Sequence, residues 1–127
     1  MKLVVIESPY SGDLEHNVEY TLQCMHDSYY VRREAPIASH LLYTRLPQCE
    51  LDGAENYHGH VQDSETSRHG REHGILCGFA WNSKADLVAV YTDHGISRGM
   101  EHGIKFAQKN NIEIEYRTIL KQTKQSD

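Results

Sequence analysis

Residues 95–104, GISRGMEHGI, set Gly95, Gly99 and Gly103 four apart around one carboxylate, Glu101. A glycine in a helix interior costs roughly 0.5–1 kcal/mol relative to alanine. A chain that repeats it there has something approaching that backbone: a packed strand, a neighbouring subunit or a ligand. Upstream, SPYSGD at positions 8–13 offers Ser8, Gly12, Asp13 and a run of backbone amides suited to cradling an anion. Ser97 stands where a helix begins, so the exposed amides of the first turn and the helix dipole make a phosphate or carboxylate site there, with Arg98 adding charge. The plainer reading stays open beside it: Ser97 is an N-cap, and the glycines admit close helix–sheet packing.

The elements that position these groups follow from periodicity. KLVVI is a short β-branched apolar run that stops at the turn chemistry of ESPYSGD, which predicts a buried strand and a loop. Leu14, Val18, Leu22, Met25 and Tyr29 recur at helical spacing behind Asp13 as cap. APIAS predicts a second strand ending at His40, and positions 46–64 read as a long loop. A second helix is expected over 65–83, with Ile75, Leu76, Phe79 and Ala80 inward and Trp81 packed within it. DLVAVY predicts a third strand. A helix over 97–109 follows, with Met100, Ile104 and Ala107 on one side, and IEIEY predicts a last strand. Alternating strands and helices predict an α/β fold: a small doubly wound parallel sheet of about four to five strands with helices on both faces, Rossmann- or flavodoxin-like, as a single domain over 1–127. Ligands of such sheets sit at the carboxyl ends of the strands. That edge would carry Ser8–Asp13, His40 and Thr92–Ser97.

His40 at a strand end faces that crevice and either hydrogen-bonds a ligand or ties the loop down. Asp93 either accepts from a ribose hydroxyl or turns the chain. Tyr29 and Tyr30 read as core or subunit-contact aromatics. His58, His60, His69 and His73 invite a metal site, but HExxH is absent and no cysteine or carboxylate has ligand spacing, so neither metal nor cofactor is expected.

Taken in order, VVIESPYSGD, ASHLLY, WNSKADLVAVYTD, GISRGMEHGIKFA and IEYR resemble the nucleoside 2-deoxyribosyltransferase-like proteins. That superfamily includes deoxynucleoside-monophosphate N-glycosidases, and the short phage and bacterial members are the most similar. The resemblance implies a nucleoside or nucleotide ligand, with Glu101 in GMEHG at the position of the nucleophile that attacks the sugar C1′. It places a 5′-phosphate among Ser8, Gly12, Ser97 and Gly99, and Tyr10 near the sugar or base. The family's aspartate on the preceding helix falls at Gly78, so this chain lacks it. Cleaving an N-glycosidic bond needs a carboxylate for the sugar and an acid for the leaving base. The acid would come from Asp93, His94 or the histidine-rich loop. The alternative is a non-catalytic binder that sequesters a nucleotide or nucleotide-derived signal, for instance a phage anti-defence protein. The family pairs through helices flanking the sheet, which implies a homodimer or higher homo-oligomer.

Composition excludes other classes. With 127 residues and a formal net charge of -5, the chain has no clustered Lys/Arg surface beyond the terminal Lys121 and Lys124, which argues against nucleic acid. No apolar run approaches the roughly 20 residues of a membrane span. Cys24, Cys49 and Cys77 form no CxxC pair, and a cytoplasmic location is expected.

Overall fold

The computed structural model describes residues 1–42 and 68–119, and of 68–72 the backbone alone. The loop read over 46–64, with Cys49, His58 and His60, and the lysines at 121 and 124 lie outside the described residues, as does the side chain of His69. Four parallel strands, β1 (Leu3–Glu7), β2 (Ala35–Ile37), β3 (Leu87–Tyr91) and β4 (Glu113–Arg117), lie in the order β2-β1-β3-β4. Three α-helices connect them: α1 (Leu14–His26), α2 (Arg68–Asn82) and α3 (Arg98–Lys109). This is the doubly wound α/β arrangement expected from the alternation of elements. Its chain reverses direction across the sheet between β1 and β3, so the switch point lies at the adjacent tips of those two strands.

Alternation along the buried strands divides the core. Val4 and Ile6 of β1 pack with Leu87, Ala89 and Tyr91 of β3 against Tyr20 and Cys24 of α1. Val5, Val88 and Val90 face the other way, against Met100, Ile104 and Ala107 of α3. The inward side of α3 is therefore the one its spacing predicts. α2 shares that second layer, with Phe79 stacked on Phe106 at 4.5 Å between centroids.

Three details depart from the periodic reading. In α1 the buried positions are Tyr20, Thr21 and Cys24, while Leu22 is exposed. The cause lies one turn on. A π-helical turn over Asp27–Val31 buries Asp27 and Ser28 and joins them to a polar cluster. Tyr91 Oη donates to Asp27 Oδ2 at 2.7 Å, and Ser28 Oγ donates to Glu34 Oε1 at 2.8 Å. Arg117 donates from Nη1 and Nη2 to the two oxygens of Glu34 at 2.9 and 2.8 Å. That cluster sets the rotation of the helix, and an apolar stripe carries no information about it. In α2, Ile75, Leu76 and Trp81 are 45%, 65% and 54% exposed, and Ala80 is also exposed. The helix approaches through Gly78 instead, where an added Cβ would lie 3.2 Å from Ser39 Oγ. Finally, β2 ends at Ile37, and Ser39–Leu41 form a 3-10 turn that carries His40.

Candidate functional site

The loop after β1 is held in place locally. Gly12 takes φ +102°, a left-handed conformation that L side chains rarely adopt. Asn17 Nδ2 donates to the carbonyls of Tyr10 (3.1 Å) and Ser11 (2.9 Å), and Asp13 Oδ1 accepts from the His16 amide at 3.2 Å, capping α1 as expected. The strand pleat then sends consecutive residues to opposite faces: Ser8 to the α1 side, Glu7 to the α3 side.

Ser8 is buried in a chain of hydroxyls. Thr21 Oγ1 donates to the Asn17 carbonyl at 2.9 Å, Ser8 Oγ lies 2.6 Å from Thr21 Oγ1, and His40 Nε2 lies 3.1 Å from Ser8 Oγ. With the threonine proton committed to a carbonyl, Ser8 donates to Thr21, and His40 donates its Nε2–H to Ser8. Burial lowers the His40 pKa to about 4, so the ring is neutral near pH 7, in agreement with this tautomer. Tyr10 meets the His40 ring edge to face at 5.9 Å. Ser8, Tyr10 and His40 thus come together as the sequence suggested.

Asp93, at the tip of β3, joins α1 to the end of β4. Tyr20 Oη donates to its Oδ1 at 2.6 Å, and the Ile119 amide lies 3.2 and 3.1 Å from its two oxygens. Both oxygens of the Asp93 carboxylate are thus already engaged in tying these elements together. His94 is exposed beside Tyr20 and His16, with ring centroids 4.2 and 5.4 Å away.

At the start of α3, Ser97 Oγ accepts from the Met100 amide at 3.3 Å, which makes Ser97 the N-cap. Arg98 and Gly99 are exposed, and a Cβ at 99 would meet nothing nearer than Ser97 Oγ at 4.0 Å. Gly95 takes φ +84° in the turn before the cap. Glu101 is exposed in the first turn.

The glycine pattern has different causes at its two helical positions. Gly99 is open, whereas Gly103 is buried, and a Cβ there would run into the carboxyl group of Glu7. Glu7 is half-buried at the C-terminal end of β1, in register with Val90 of β3, which puts it at the switch point. Among the described residues, no hydrogen bond or ion pair reaches its carboxyl group. Burial alone pushes its pKa from 4.5 up to about 8, so the group carries a proton near neutral pH. Sequence reasoning misses it because the apolar run KLVVI stops at Ile6 and the turn chemistry of ESPYSGD begins at Glu7, whereas β1 extends through Glu7. The signal was present: continuing the strand by one residue puts Glu7 on the same face as Val5. The fully buried side-chain polar atom that lacks a partner among the described residues is a different one, Asn82 Oδ1 at the end of α2, where the chain enters β3 from the opposite edge of the sheet.

The strand order defines a small doubly wound α/β protein, and in that architecture the β1–β3 switch point is the candidate ligand site. The chain belongs to the family described as a domain of unknown function, DUF7768, whose model matches residues 2–117. No curated protein and no solved structure matches it. Among the described residues, no helix is long and apolar enough to cross a membrane.

Proposed function

We propose that this protein binds a nucleoside or nucleotide in the crevice between the β1 and β3 tips and cleaves or transfers its N-glycosidic bond, with Glu101 as nucleophile. The observation that carries the reading is the convergence at the switch point. The SPYSGD loop, the Tyr10–His40 pair and the glycine-opened start of α3 all border the strand tips where ligands of this architecture bind. The amides of Arg98 and Gly99 suit a 5′-phosphate, with the loop around Gly12 opposite; the Ser8 hydroxyl is buried in its bonds to Thr21 and His40 and supports that loop from beneath. The exposure of Glu101 and the packing of Gly78 on Ser39, where the superfamily's aspartate would stand, favour a second reading: a binder that holds the nucleotide without cleaving it. The exposed Leu22, Tyr29, Tyr30, Ile75 and Leu76 suit a homodimer formed through the flanking helices.

A thermal-shift screen with the four deoxynucleoside monophosphates, run beside a chromatographic assay for free base, separates these readings. Binding raises the melting temperature by mass action. Cleavage also releases base, and Glu101→Gln abolishes that release while leaving the thermal shift in place. A shift without base release leaves the binder. No shift with any of the four overturns both.

A further inference from the structure

The Glu7 carboxyl is an anomaly that packing does not explain. A half-buried carboxyl drawn largely out of water without a partner is costly, and native structures satisfy such groups or use them. Here a glycine at 103 makes room for it, so the helix gives up propensity at a buried position to keep the group in place. The neighbouring polar groups on the other face, Ser8, Thr21 and His40, are all bonded to one another. Among the described residues, Glu7 is the carboxyl at the switch point left with its hydrogen-bonding capacity unused.

We propose that Glu7 reads the ligand, donating its carboxyl proton to a ring nitrogen or carbonyl oxygen of a nucleobase held at the β1–β3 tips. This rests on the nucleotide reading above and adds the group that recognises the base. A neutral carboxylic acid presents a donor beside an acceptor, which matches the edge of a nucleobase, whereas a carboxylate only accepts. The half-buried setting makes the bond strong and makes a mismatched partner expensive. Val90 of β3 and Val5 of its own strand bring no charge to this group. On α3 the charged and titratable groups Arg98, Glu101, His102, Lys105 and Lys109 are all exposed. His40 lies in the network on the α1 face and is neutral above about pH 4.

Calorimetric titration of dAMP, dGMP, dCMP and dTMP into wild type, Glu7→Gln and Glu7→Ala tests this, at roughly pH 7 and pH 9.5, both above the second phosphate ionisation near pH 6. For whichever monophosphates bind, wild-type affinity should fall at least about tenfold at the higher pH as Glu7 loses its proton. Glu7→Gln keeps a donor beside an acceptor and does not titrate, so its affinity should change less than about threefold between the two conditions. Glu7→Ala should bind about tenfold more weakly than wild type at the lower pH. Thermal denaturation of each variant without ligand confirms that it is folded. Wild-type affinity in Glu7→Ala, or the same pH dependence in Glu7→Gln as in wild type, overturns the role of Glu7 while leaving the nucleotide reading intact. No binding of any monophosphate to wild type overturns both.

Discussion

The two faces of the sheet treat their polar groups in opposite ways. On the α1 face, three clusters are closed: Ser8–Thr21–His40, Tyr20–Asp93–Ile119, and the larger set built on Arg117, Glu34, Tyr91 and Asp27. Every carboxylate in them accepts from at least two donors. On the α3 face the core is almost wholly apolar, and its one carboxyl, at the strand tips, has no partner among the described residues. Satisfied clusters fix helix rotation and strand ends. An unsatisfied group at a switch point is available to a ligand. On the reading proposed above, the buried clusters of the α1 face do structural work, and Glu7 on the α3 face is the group left to read the base.

The largest effect should come from the closed face. Arg117 has 2% of its side chain exposed and donates to Glu34 through both terminal nitrogens and to Tyr91 Oη at 3.2 Å. Its guanidinium is held firmly charged by Glu34 and its other partners despite the burial. Arg117→Met strands Glu34 and removes one link to the Tyr91–Asp27 pair, so we expect a loss of roughly 3–5 kcal/mol in urea denaturation. A loss under about 1 kcal/mol would show that the cluster is not what orients α1.

On the open face, the corresponding change should have the opposite character. The folded state holds the Glu7 proton from its ordinary pKa of 4.5 up to about 8, where the unfolded chain has released it. Native protein therefore binds more protons across that window, and stability contributed by Glu7 is complete below 4.5 and is lost as the pH rises to about 8. His40 runs the other way. Its pKa falls from 6.5 to about 4, so its contribution is complete above 6.5 and is lost as the pH falls toward 4. Glu7→Gln should abolish the alkaline decline, worth roughly 1–3 kcal/mol between pH 6 and 9 for a group still partly in water, and leave the acid limb unchanged. An unaltered alkaline limb would remove the unpartnered carboxyl from the account.

A smaller effect, with a change of sign, sharpens the link between Glu7 and Gly103. Gly103→Ala alone gains helix propensity but pushes a Cβ into the carboxyl group, for an expected net loss of about 1 kcal/mol. In the Glu7→Ala background the same substitution should stabilise by up to about 1 kcal/mol, because only the propensity term remains. Equal effects in both backgrounds would mean that the glycine is there for another reason.

How much of this was legible in the sequence follows from what periodicity measures. The run LVAVY, the Ser97 cap and the Met100–Ile104–Ala107 side of α3 are local signals, and each stands where it was expected. The rotation of α1 and α2 was not legible. Polar contacts from Asp27 and Ser28 set the first, and the closeness allowed by Gly78 sets the second; an apolar pattern encodes neither. Of the site, the group Ser8, Tyr10 and His40 follows from strand-end logic. Of the repeated glycines, Gly103 alone marks a close approach, while Gly95 and Gly99 are open; the agent at Gly103, Glu7, is 96 positions away in sequence and becomes visible only when β1 and α3 are packed together.

The central claim is that Glu7 enters the site as a neutral acid. Its most direct test is the carboxyl ¹³C resonance of Glu7, assigned by comparison with Glu7→Gln and followed through a pH titration of the folded, ligand-free protein. The account predicts a midpoint near 8, well separated from the other glutamates. A midpoint at the ordinary value near 4.5 would contradict it.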